Sequence, residues 1–177
     1  MATNSYASGT ITELKQANKT VKTLKDSPLK VKFPGIKLDK ASIVVFSDAS
    51  FANLPDGSSQ GGYLVFIADD SGQCCPLSWQ SRKIRKVCKS TLAAESWSLV
   101  EGLDAAELIS TQLKELLKLD LPVVCYTDCK SLYDAVRTSN TLEDKGLRIP
   151  MACLRQRHNQ DKVKIRWVPT KLQLSDC

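Results

Sequence analysis

Two apolar β-branched runs in this 177-residue chain end in a hydroxyl residue followed by an acid: Ser42-Ile43-Val44-Val45-Phe46-Ser47-Asp48 and Leu121-Pro122-Val123-Val124-Cys125-Tyr126-Thr127-Asp128. An acid that directly follows a buried strand lies at the strand's carboxyl edge, where open α/β sheets build their sites. If the two strands are parallel neighbours, Asp48 and Asp128 converge. Glu95 then joins them from the first turns of the helical segment opened by Ser90-Thr91-Leu92-Ala93-Ala94, and Asp176, after Gln173-Leu174-Ser175, is a candidate fourth acid. Clustered carboxylates repel one another and need cations. Hard oxygen donors with open positions suit Mg2+ or Mn2+. A pair of such ions about 3.5–4 Å apart is a device for phosphodiester cleavage.

The elements that must position these acids follow from the hydropathy pattern. Thr10 and Glu13 form a capping-box pair that opens a helix over 10–26, with Ile11, Leu14, Ala17, Val21 and Leu24 near one face. Pro28, Pro34 and Gly35 mark a linker over 27–40. Strands follow at 42–48, 62–67 and 75–79, separated by Asp56-Gly57 and Ser71-Gly72 turns, which read as an antiparallel meander. A long helix over 90–119 leads to a strand over 121–128, a short helix over 130–138, a further helical stretch from 144 to 158 and a strand over 163–168. Pro150 fits a first helical turn and moves the start of that last helix to about Ile149. The order predicts an α/β fold with a mixed five-stranded sheet, its first three strands antiparallel and its fourth and fifth parallel to the first.

Composition sets the outer limits. A 42% hydrophobic content excludes a disordered chain, and no apolar run reaches the roughly 20 residues of a membrane span. The first residues have no signal-peptide character. Seven cysteines, with no Cys-x-x-Cys pair, read as reduced thiols of an intracellular protein. With His158 as the single histidine, a zinc site is not expected. The net charge of +6 is uneven: residues 1–40 hold eight lysines against three acids. Elsewhere, Arg82, Lys83, Arg85, Lys86 and Lys89 form a basic run without an acid, the footprint of phosphate-backbone contact.

Taken together, these segments resemble the ribonuclease H domain of copia-class LTR retrotransposon polyproteins. The matching motifs are Phe46-Ser47-Asp48-Ala49-Ser50 with Asn53, Ser59-x-Gly61-Gly62-Tyr63 and Leu77-Ser78-Trp79-x-Ser81-Arg82-Lys83. They continue with Ser90-Thr91-Leu92-Ala93-Ala94-Glu95, Tyr126-Thr127-Asp128-Cys129-x-Ser131-Leu132 and Trp167-Val168-Pro169-Thr170-Lys171-x-Gln173-Leu174-Ser175-Asp176. They occur in family order across about 43–177, and residues 9–35 look like the tail of a preceding reverse transcriptase region. The expected division is therefore a basic helix and linker over 1–40 and a ribonuclease H-like domain over 41–177, stopping short of a final helix.

The resemblance implies hydrolysis of the RNA strand of RNA–DNA hybrids with two Mg2+ ions, for which Mn2+ substitutes. Asp48 would bridge both ions, Glu95 and Asp128 would complete one site, and Asp176 would help hold the other. Arg82, Lys83, Arg85, Lys86, Ser90, Thr91 and Lys171 are expected near the substrate. Lys171 stands where cellular relatives carry a histidine, and it cannot act like imidazole near neutral pH. The expected setting is the cytoplasm, a virus-like particle or the nucleus, with the upstream reverse transcriptase region as partner and no membrane. The alternative is a catalytically impaired nucleic-acid-binding fragment of the same fold. An actin-like phosphotransferase needs duplicated domains and Gly-rich phosphate loops, and a DDE-type integrase does not match the Trp79-to-Glu95 and Trp167-to-Asp176 motifs.

Overall fold

The structure, a computed structural model, describes residues 10–27, 32–138, 144–160 and 163–175. The chain divides into two compact units, Met1–Phe33 and Pro34–Cys177. In the first, helix α1 (Ile11–Asp26) starts at the Thr10–Glu13 capping box. The Glu13 N–H donates to Thr10 Oγ1 at 3.2 Å and the Thr10 N–H donates to Glu13 Oε2 at 2.7 Å. None of its residues is buried, and its apolar stripe of Ile11, Leu14, Val21 and Leu24 is exposed.

The second unit contains strands β1 (Ser42–Ser50), β2 (Gln60–Ala68) and β3 (Cys74–Lys83), helix α2 (Thr91–Leu117), strand β4 (Val123–Thr127), helices α3 (Lys130–Arg137) and α4 (Arg148–Asn159), and strand β5 (Val163–Trp167). Single 3-10 turns occupy Leu38–Lys40, Lys145–Leu147 and Thr170–Leu172. The sheet order is β3-β2-β1-β4-β5. β1 pairs antiparallel with β2 and β2 with β3, while β4 runs parallel to both β1 and β5. This is the mixed five-stranded sheet expected from the pattern. Among the described residues no helix is long and apolar enough to cross a membrane.

Period-two alternation decides which face of the sheet is buried. Ile43 and Val45 of β1, Val65 of β2, Val123 and Cys125 of β4 and Val163 and Ile165 of β5 all face the core. There they meet Leu99, Leu103 and Ala106 of α2, Leu132 and Val136 of α3 and Met151 and Leu154 of α4. Each fully buried Leu, Ile or Val contributes about 1.5–3 kcal/mol relative to exposure. The intervening residues Val44, Phe46, Leu64, Phe66, Val124 and Tyr126 lie outside this core. On that second face the Phe46 ring stacks on Tyr126 at 5.1 Å and meets Phe66 edge-on at 6.3 Å.

Element ends differ from the sequence expectation for local reasons. β3 runs on to Lys83 because its pairing with β2 continues to Gln60–Lys83, which puts Arg82 and Lys83 on a strand instead of a loop. α2 stops at Leu117, where Lys118 adopts a left-handed conformation (φ 58°) and its N–H closes on Lys114 O at 2.9 Å. α4 begins at Arg148, and Pro150 sits in its first turn, where its missing N–H costs nothing. Residues 34–40 lie with the second unit, since Ile36 and Leu38 pack against its core.

Candidate active site

The parallel register aligns the two acids, Asp48 two residues before the end of β1, which runs past the expected 48 to Ser50, and Asp128 just past the end of β4. β1 and β4 pair from Ile43–Val123 through Phe46–Tyr126, and continuing that register two residues brings Asp48 beside Asp128. Glu95 reaches them from the second turn of α2, whose start is fixed by Ser90: its hydroxyl accepts from the Ala93 N–H at 3.2 Å. One carboxylate oxygen from each of Asp48, Glu95 and Asp128 lies within 4.8 Å of the other two.

The approach of α2 to the sheet depends on small residues. A Cβ on Gly102 would lie 3.1 Å from Val45 Cγ1 and 3.2 Å from Tyr63 Cβ. One on Gly61 would lie 3.1 Å from both Ser98 Oγ and Ile84 Cγ1. With no side chain at either position, the helix beds closely enough on β1 and β2 for Glu95 to meet acids rooted in the strands. The buried Ile84 holds the β3 end in place, its N–H donating to Ser59 O at 2.8 Å.

Side-chain donors hold β1 and β4 beyond the end of the β1–β4 ladder. Gln173 Nε2 donates to Ser47 O at 2.8 Å, Ser98 Oγ to Asp48 O at 2.8 Å, and Trp167 Nε1 to Asp128 O at 2.9 Å. The Cys129 N–H donates to Thr127 Oγ1 at 3.1 Å, which turns the chain sharply after Asp128. Sequence reading missed Ser98, Gln173 and Trp167 as site residues, although Gln173 and Trp167 fall inside quoted motifs. Ser98, one helical turn beyond Glu95, was signalled only by that spacing.

Electrostatics single out Glu95. It is 5% exposed, whereas Asp48 and Asp128 keep part of their surface in solvent. Burial, followed by the charges of Asp48 and Asp128, pushes its pKa up to about 8, with a smaller opposing effect from the Ala49 N–H. Its Oε2 is buried and has no hydrogen-bond partner. Three hard oxygen donors, one with an unsatisfied buried oxygen, fit a divalent cation of the Mg2+ type. None of the described cysteines is in a disulfide.

The remaining candidates lie at different distances from any chemistry. Arg82 is engaged by Glu101 of α2 (Nη2 to Oε2, 3.2 Å), and Lys83 forms an ion pair with Asp56. Lys86 Nζ stands 5.6 Å from the Trp97 ring centre. Arg85 and Lys89 are exposed, as is Thr91, while Ser90 is the α2 cap. Lys171 is exposed in the Thr170–Leu172 turn. Asp176 lies outside the described residues.

No family model matches the chain, and no curated protein matches it either. Solved structures do. LC11-RNase H1, crystallised in complex with an RNA/DNA hybrid, aligns at 16% identity and a TM-score of 0.57, covering 75% of this chain and 89% of that one. RNase H1 from Halobacterium salinarum aligns at 15% identity and a TM-score of 0.55, with the same coverage. The N-terminal RNase H domain of a Mycobacterium tuberculosis protein aligns at 16% and 0.52, covering 75% and 86%. The chain therefore has the ribonuclease H fold.

Proposed function

We propose that the protein is a divalent-metal-dependent ribonuclease H that hydrolyses the RNA strand of RNA–DNA hybrids. One observation carries the reading: Asp48, Glu95 and Asp128 converge at the carboxyl edge of two parallel strands, with a buried carboxylate oxygen of Glu95 left unsatisfied. The shared fold with LC11-RNase H1, solved with its hybrid, adds to it. The ordered copia-class motifs across 43–177 favour a retrotransposon reverse-transcription setting, with an upstream reverse transcriptase region as partner and an intracellular location.

Asp48, Glu95 and Asp128 would hold Mg2+, or Mn2+ in its place, and Asp176 would contribute to a second ion. When bound, the metal supplies positive charge beside the scissile phosphate and lowers the pKa of bound water. The protein's own part is to keep three acids together and to orient the hybrid. Arg85, Lys86 and Lys89 offer charge to phosphates, with Arg82 and Lys83 behind them on the β3 edge. Ser90, Thr91 and Lys171 would offer hydroxyl and ammonium donors to the hybrid. Recognition of the hybrid would rest on 2′-hydroxyls and groove shape rather than base edges.

The test uses a labelled RNA–DNA hybrid with Mg2+ or Mn2+. RNA-strand cleavage that disappears in Asp48→Asn is the expected result. Cleavage that survives in that variant, or hybrid binding without cleavage in the unaltered protein, overturns the assignment.

A further inference from the structure

The ladder between β1 and β4 ends at Phe46–Tyr126, two residues before Asp48. Consecutive carbonyls along a strand point to opposite edges, so those of Ser47 and Asp48 face different neighbours, while β1 stays paired with β2 through Ser50–Gln60. Past the end of the ladder, Ser47 O has the Gln173 side chain, which is 7% exposed and donates at 2.8 Å. Asp48 O has Ser98, which is 2% exposed; its hydroxyl lies 2.8 Å from that carbonyl and 3.0 Å from Gly62 O on β2. The backbone on either side of the Asp48 nitrogen and carbonyl is thus gripped by two buried side chains from elements far away in sequence.

We infer that Ser98 and Gln173 are positioning residues that fix Asp48 against the repulsion of its neighbours. This role presupposes the metal site proposed for Asp48, Glu95 and Asp128. Ser98 stands one turn beyond Glu95 on the same face of α2, so a single hydroxyl ties the helix that carries Glu95 to the strand that carries Asp48. Its single proton is shared with Gly62 O of β2, so the same hydroxyl ties α2 to both strands at this turn. Gln173 does the same from the opposite edge, joining the segment after the Thr170–Leu172 turn to β1. Pairing with β2 holds Asp48 on one edge, but past Phe46–Tyr126 no β1–β4 ladder pair holds it toward Asp128, and no strand pairing holds it toward Glu95. The grip acts on backbone carbonyls and uses none of the three carboxylates.

A role confined to stability would appear in melting temperature; a positioning role appears in metal affinity. The experiment titrates Mn2+ into the whole 177-residue chain by calorimetry, without hybrid, for the unaltered protein, Asp48→Asn, Ser98→Ala and Gln173→Met, with metal-free thermal melts alongside. The unaltered chain should bind and Asp48→Asn should not. Ser98→Ala and Gln173→Met should bind roughly tenfold more weakly, with melting temperatures within about 4 °C of the parent. Amide hydrogen exchange at Asp48 and Ala49 should quicken in both variants. If both bind Mn2+ within twofold of the parent, the positioning role is wrong. Should Gln173→Met fail to fold, Ser98→Ala alone decides. Absence of Mn2+ binding by the unaltered chain overturns the metal reading and this inference with it; binding by the parent with indifferent variants overturns this inference only.

Discussion

The indole N–H of Trp167 donates to the carbonyl of Asp128 at 2.9 Å, tying the end of β5 to the end of β4 where the sheet gives way to the site. The same ring lies 5.7 Å from Lys130 Nζ. Trp167→Phe keeps an aromatic face for Lys130 and removes the donor. Since one hydrogen bond is worth about 1 kcal/mol net, the fold should survive while the backbone that carries Asp128 loses an anchor. A several-fold fall in kcat with little change in KM is expected in steady-state cleavage of a hybrid. An unchanged kcat would mean that the bond only trims the surface.

Glu95 gives the metal-free protein a pH signature. Its pKa is raised from the ordinary 4.5 to about 8, so between these values the folded state binds more protons than the unfolded state. The contribution of Glu95 is therefore fully present below about pH 4.5 and is lost as pH rises toward 8. Glu95→Gln has no proton to lose. It should be more stable than the parent at pH 8 in chelator, by on the order of 4 kcal/mol, and most of the gap should close by pH 5. Denaturant melts at the two pH values measure this, and a gap independent of pH would contradict the raised pKa.

Gly102 sets two effects against each other. Alanine in a helix interior gains about 1 kcal/mol over glycine. At this position, however, its Cβ would stand 3.1 Å from Val45 Cγ1 and 3.2 Å from Tyr63 Cβ, and overpacking costs about 1–3 kcal/mol. Steric conflict should win, so Gly102→Ala lowers the melting temperature. It should also weaken Mn2+ binding by displacing α2 and Glu95 with it. A higher melting temperature would show that the helix accommodates the methyl group.

The basic run divides into engaged and available charges. Arg82 and Lys83 already have acid partners, whereas Arg85 is exposed and Lys86 lies over Trp97. Arg85→Ala should lower the magnitude of the salt slope of hybrid binding by about 1. Arg82→Ala should change it less, because Glu101 then becomes an unpaired negative charge that moderates affinity without altering the count of released ions. Equal slopes in parent and Arg85→Ala would remove Arg85 from the interface.

Much of this geometry was legible in the chain because it is encoded by strong local patterns. The continuous apolar, β-branched runs Ile43-Val44-Val45-Phe46 and Val123-Val124-Cys125-Tyr126 identify both interior strands, and the acid that follows each run marks the site edge. The placement of Glu95 followed from the Ser90 cap, which fixes where α2 begins. What escaped the sequence was contact across large separations. Nothing local in Gln173 shows that it will meet Ser47, and nothing in Ser98 shows that it will bridge two strands. The engagement of Arg82 by Glu101 was hidden for the same reason, since it requires β3 to continue far enough to face α2.

The shared register of β1 and β4 has a consequence for how this chain tolerates change in length. Asp48 and Asp128 stand together because the two strands pair in step from Ile43–Val123 onward. Adding residues to the turns around Gly57 or Gly72, both at positive φ, leaves that alignment untouched. Deleting a single residue within 123–127 would shift β4 by one step, turn its core face outward and carry Asp128 away from Asp48. Tolerance to indels is therefore set by where they fall relative to one strand pair.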